Sequence, residues 1–131
     1  MSQENIETFD RVAAAFQRGD FDVWIESFAE DGVFVPQRAP IQGTYTGEAA
    51  LRGFLADNEE SFDVFQPSYE DVRDLGDRVL ALGKLRLRGK EGGVDIEVPS
   101  ALVLTFRDGK IVRFEDFGDK RRALEAVGLS E

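Results

Sequence analysis

Three tight-turn signals divide residues 76–116 and govern what this chain can fold into. Gly76–Asp77 precedes "RVLALGKLRLR", "GKEGG" at residues 89–93 follows it, and Asp108–Gly109 separates "VDIEVPSALVLTFR" from "KIVRFEDF". Strands joined by so few residues run antiparallel, because a parallel crossover needs a dozen or more. Inside the first of these segments the alternation is clean. Val79, Ala81, Gly83, Leu85 and Leu87 face one way, and Lys84, Arg86 and Arg88 the other. Asp95 and Glu97, across the hairpin, are placed to meet those cations.

Upstream the period changes. Ile6, Phe9, Ala13 and Phe16 recur at helical spacing, and Gly19 is positioned to end that helix. Asp20 can cap a second short helix, "FDVWIESFAED", that turns Trp24, Ile25 and Phe28 inward. "GVFV" reads as a short strand stopped by Pro36, and residues 36–44 as a loop. Thr46 can cap a third helix, "GEAALRGFLADNEE", with an apolar stripe at Ala50, Leu51, Phe54 and Leu55. "FDVFQPSYEDVRDL" is a strand expected to be irregular around Pro67. Asp119 can cap a closing helix, "KRRALEAV", with Gly128 past its end. Helices first and a meander afterwards predict an α+β fold, one domain over residues 1–131, with helices covering one face of a curved antiparallel sheet.

Composition narrows the chemistry. The 131 residues include no His and no Cys, so disulfides, thiolate nucleophiles, histidine-based triads and His- or Cys-ligated metals are excluded. No Asx-rich loop resembles a carboxylate calcium site, and a metal is not expected. The formal charge of −10 argues against nucleic acid and anionic membranes as partners. No stretch approaches the roughly 20 apolar residues of a membrane span, and the N-terminus lacks a signal-peptide core, so a cytoplasmic location is expected.

The segment "RFEDFGD", residues 113–119, holds the main candidate. Alternation groups Val112, Phe114 and Asp116 on one side and Arg113, Glu115 and Phe117 on the other. Glu115 has Arg113 to pair with, whereas Asp116 shares its face with hydrophobes. In an apolar interior its carboxyl would have a raised pKa suited to acid–base work. At a solvated strand end it would be a structural acceptor for backbone N–H groups. Both readings stand at this level.

In order and spacing, "AAFQRGDFDVWIESFAEDGVFV", "GTYTGEAALRGFL" and "FRDGKIVRFEDFGD" resemble the SnoaL-like branch of the nuclear transport factor 2-like superfamily, over nearly the whole chain. The resemblance implies a cone, in which a curved sheet and N-terminal helices enclose a pocket, with a short C-terminal helix. It also implies no cofactor and a homodimer formed through the convex sheet face. Laid over this sequence, the three polar residues of ketosteroid isomerases fall at Val12, near Pro36 and near Leu102, none of which can exchange a proton, so that activity is not expected. SnoaL-like cyclases use a final-strand aspartate as acid/base, and Asp116 takes that place.

The implied function is the binding of a small apolar or partly polar organic molecule. Asp116 would act as the acid/base of a cofactor-independent cyclase, isomerase, hydratase or hydrolase. The alternative is a non-catalytic ligand-binding or dimerisation module with a vestigial pocket. Tyr45, before the third helix, is the candidate second polar group. Trp24, Phe54, Leu85, Leu102, Leu104 and Phe114 are expected to line the cavity, and Gln37 and Arg38 to lie in a loop over its mouth, with Arg38 available to an anionic group.

Overall fold

The computed structural model describes residues 2–129. Helices α1 (Ser2–Gln17) and α2 (Phe21–Glu26) precede strand β1 (Phe28–Val35), a single turn α3 (Ala39–Gln42) and the two-residue strand β2 (Tyr45–Thr46). Helix α4 (Glu48–Ser61) then leads into β3 (Phe62–Asp74), β4 (Arg78–Gly89), β5 (Asp95–Arg107) and β6 (Lys110–Asp116), and α5 (Lys120–Ala126) closes the chain. The strands form one curved sheet in the order β2-β1-β6-β5-β4-β3.

The turn signals hold. β3–β4, β4–β5 and β5–β6 are all antiparallel neighbours. At the β5–β6 turn, Asp108 and Gly109 both take positive φ (53° and 78°), as a two-residue hairpin matched to strand twist requires. The pairing that no turn dictates is β1 with β6, which is parallel and sets Phe34 beside Phe114. Pro67 is accommodated because β3 is an edge strand; the register shifts lie on either side of it, between Phe62 and Val64 and between Tyr69 and Asp71.

β4 and β5 are apolar on both faces over half their length, and this sorts the helices. On the inner face Val79, Ala81, Leu102 and Leu104 pack with Phe9 and Val12 of α1, Trp24 of α2 and Leu51 and Phe54 of α4. On the outer face Leu80, Leu82, Ala101 and Val103 pack with Ala123 and Leu124 of α5. The closing helix therefore covers the opposite face from the other helices, which corrects the expectation that all lie on one side. Beyond α5 the outer face is charged, with Lys84–Glu97 and Arg86–Asp95 at 3.6 Å, the cross-hairpin pairs the sequence predicts.

Local differences have local causes. α2 stops at Glu26, where the Ser27 hydroxyl donates to the Trp24 carbonyl (2.6 Å), so Phe28 is buried from a strand instead of a helix. Asp20 holds the N-cap position of α2, but its carboxylate lies 3.6 Å from Arg18 instead of on a helix N–H. Thr46 is paired in β2, and Gly47 (φ 89°) takes the N-cap of α4. Residues 36–44 contain the α3 turn. Asp119 does cap α5, accepting from the Arg121 N–H at 2.8 Å. A register shift between Thr105 and Phe106 leaves an extra residue on β6, so Ile111 is fully buried and Val112 only half-buried. The alternation read back from Phe114 to Val112 breaks at that bulge.

Candidate functional site

Side chains of α1, α2 and α4 do not fill the inner face along its whole length. A cavity of about 230 Å³ remains toward the end of the sheet where β4 and β5 turn. Its walls are mostly apolar: Phe16, Trp24, Phe34, Phe54, Leu85 and Phe114 contribute. The aromatic rings brace one another edge to face; Phe34 meets Phe54 at 4.7 Å and Phe114 at 5.3 Å between centroids. Exposed Arg38, Gln42, Asp57 and Ser61 also line the cavity and mark its mouth.

Asp116 is in the wall and only 9% exposed. Its Oδ1 accepts from the backbone N–H of Ala101 (3.1 Å) and Gly118 (2.9 Å). Its Oδ2 accepts from the Ser100 hydroxyl (2.8 Å) and from Gln37 Nε2 (3.1 Å). Burial pushes the carboxyl above the usual carboxylate value, while these donors, Ser100 foremost, pull against it. Gln37 Nε2 also donates to the Pro99 carbonyl at 2.8 Å, which ties the loop after β1 to β5.

The chain of contacts goes on. Ser100, 2% exposed, lies 2.8 Å from the hydroxyl of Tyr69, another wall residue. Desolvation, and then the charge of Asp116, push the Tyr69 phenol up. Tyr69, Gly83 and Ser100 are register partners on β3, β4 and β5. Glycine is required in the middle of that row: a Cβ on Gly83 would lie 1.9 Å from the Ser68 carbonyl oxygen and 2.7 Å from the Tyr69 Cα. The β3 backbone leans over the gap, and the tyrosine spans it to the serine.

Of the residues expected at the site, Asp116, Trp24, Arg38, Phe54, Leu85, Leu102 and Phe114 line the cavity, and Gln37 joins them from its loop. Leu104 is fully buried in the packed part of the inner face, beyond the cavity. Tyr45 is not in the wall: its ring packs on Phe34 and Phe54, and its hydroxyl accepts from Gln42 Nε2 at 3.4 Å. Tyr69 is a polar wall group that the sequence does not announce, and Ser100 stands buried behind it. A signal existed, since Ser100 shares a face with Leu102 and Leu104 and is the polar residue on that stripe. Among the described residues no three carboxylates converge as a metal site would need, and no helix is long and apolar enough to cross a membrane.

A family model described as a SnoaL-like domain matches residues 9–114. An uncharacterized protein of Mycobacterium tuberculosis is 29% identical over 116 residues, covering 86% of this chain and 87% of its own. Among solved structures, an NTF2-like protein of unknown function from Burkholderia pseudomallei is similar with a TM-score of 0.81 at 21% identity, over 95% of this chain and 98% of that one. TerC, co-crystallized with polyporic acid, has a TM-score of 0.78 at 24% identity and the same coverages. At such identities these likenesses carry the fold.

Proposed function

The chain belongs to the SnoaL-like domain family, and from that premise we propose that it binds a compact, largely apolar organic molecule in the cavity and exchanges a proton with it at Asp116. The supporting observation is a buried carboxylate, raised by desolvation, in a mostly aromatic and aliphatic wall. Polyporic acid, with which the similarly folded TerC was co-crystallized, is consistent with such an occupant. The reaction class is that of a cofactor-independent cyclase, isomerase, hydratase or hydrolase. Tyr45, set back behind Phe34 and Phe54, would serve as a packing support, and Tyr69 is the better-placed second hydroxyl. A second copy pairing through the outer sheet face belongs to the same proposal, and sedimentation velocity reads it.

One observation favours the non-catalytic alternative. Both Asp116 oxygens already accept two hydrogen bonds, one pair of them from backbone N–H groups, as a structural acid would. The two readings separate in one comparison. Wild type and Asp116→Asn are incubated with a panel of enolisable aromatic ketones and hydroxylated naphthalenes, with turnover followed by mass spectrometry and binding by Trp24 fluorescence. Turnover by wild type alone, with binding kept by both proteins, supports the enzyme. Binding without turnover in either moves the conclusion to the binding module.

A further inference from the structure

With Asp116 ionised, hydrogen-bond polarity along the Tyr69–Ser100–Asp116 chain follows from counting protons. An ionised Asp116 can only accept. Ser100 has one hydroxyl proton and lies 2.8 Å from Asp116 Oδ2, so that proton goes to the carboxylate. Ser100 then has none for Tyr69, and the 2.8 Å contact between them is made by the tyrosine proton. Both N–H bonds of the Gln37 amide are likewise spent, on Pro99 and Asp116. What Tyr69 has left for the cavity is a lone pair. Every side-chain donor in this group is spent within it, on the Asp116 carboxylate, on Ser100 or on the Pro99 carbonyl.

We infer that Tyr69 meets the ligand as a hydrogen-bond acceptor, held in that sense by Asp116 acting through Ser100, and that the cavity selects a molecule whose inner end carries an O–H or N–H. A phenol, enol or amine fits, whereas a carbonyl or ether oxygen would set lone pair against lone pair. The inference rests on the reading that the cavity takes a small organic ligand, and it names the ligand's chemistry. Asp116 is here a positioning residue, and Tyr69 the contact. The raised phenol of Tyr69 agrees with a hydroxyl that keeps its proton and directs it inward.

The backbone makes the chain reversible by design of a variant. In Asp116→Asn the N–H groups of Ala101 and Gly118 hold the carboxamide oxygen where Oδ1 stood, which leaves its NH₂ facing Ser100. The serine then accepts from the amide and donates to Tyr69, and the tyrosine proton is released into the cavity. Gln37 Nε2, which donated to Oδ2, then faces another N–H and has to turn aside, so selectivity should invert with the change in pocket shape confined to Gln37.

The test uses three probes of similar size: 4-ethylphenol (donor), 4-ethylanisole (donor removed) and 4-methylacetophenone (acceptor only). Dissociation constants are read in mildly alkaline buffer from the indole signal of Trp24, the single tryptophan and a wall residue. Wild type should favour the phenol over both others by about five- to tenfold, the weight of one net hydrogen bond. In Asp116→Asn the acetophenone should overtake the phenol. In Tyr69→Phe, a milder variant that keeps the ring, the three probes should bind alike, with the anisole unchanged from wild type. If the probes bind wild type without preference, or if Tyr69→Phe keeps the preference, this inference is wrong while the cavity reading survives. If no probe moves the Trp24 signal, both fall together.

Discussion

The two halves of β4 present the same kind of inner face and meet different fates. Val79 and Ala81 are wholly excluded from solvent in the packed core, whereas Leu85 and Leu87, a few residues on, border a cavity. Helix α1 fills the first half and leaves the second hollow, and the changeover occurs at Gly83. It is there that the polar chain of Tyr69, Ser100 and Asp116 crosses the sheet. Polar groups can sit at that seam because each is satisfied by the next, while the hollow half leaves one of them a face toward a ligand. Packing and function thus share one surface and divide it along its length.

The comparison is best broken by truncating one leucine in each half. Leu104→Ala in the packed half should cost about 2–5 kcal/mol in urea unfolding, because a new void opens where nothing can relax into it. Leu85→Ala should cost roughly half as much, since its side chain already borders empty space and mostly the transfer loss remains. Equal losses would mean that the two halves are packed alike.

A smaller effect sharpens the seam. Burial gives Asp116 a folded pKa above its unfolded value, near 3.8, so the folded state favours its protonated form. Its contribution is therefore full below that unfolded value and is lost as pH rises through the raised folded one. Wild type should lose stability relative to Asp116→Asn as pH climbs through that window, read as the difference in urea midpoints. Asp31 and Asp71 have the opposite sign, because side-chain hydrogen bonds from Arg107 and Arg73 lower their pKa values. A midpoint difference that grew toward acid would show that the donors around Asp116 outweigh its desolvation. The smallest effect belongs to the outer face. Lys84→Ala, which removes an exposed 3.6 Å pair with Glu97, should change stability by no more than about 1 kcal/mol.

Residues whose partners lie close in sequence were legible. The turns at 76–77, 89–93 and 108–109 gave the meander, and period-two alternation put Phe114 and Asp116 together in the wall. What failed depended on distant register. The β6 bulge that exchanges Ile111 for Val112 is set by pairing with β5 and β1, and nothing local announces it. Tyr69 and Ser100 are 31 residues apart and meet only because three strands bring them into one row. Leu104 shares a face with Leu102 but lies in the packed half, a difference made by where the helices end. Tyr45 stands before α4 in the sequence, as a residue at the mouth would, but β2 pairing turns it against Phe34.

The parallel seam between β1 and β6 also bears on how the chain emerges from the ribosome. Hairpins β3–β4 and β4–β5 can close as soon as they are made, since their partners are adjacent. β1 is made before the meander and waits for residues 111–115, about 80 residues further on. The wall that carries Phe34 and Phe114 is then assembled last, and Asp116 arrives with it. A nascent chain has its meander before it has a binding site, and no ligand can hold it folded until β6 has been made.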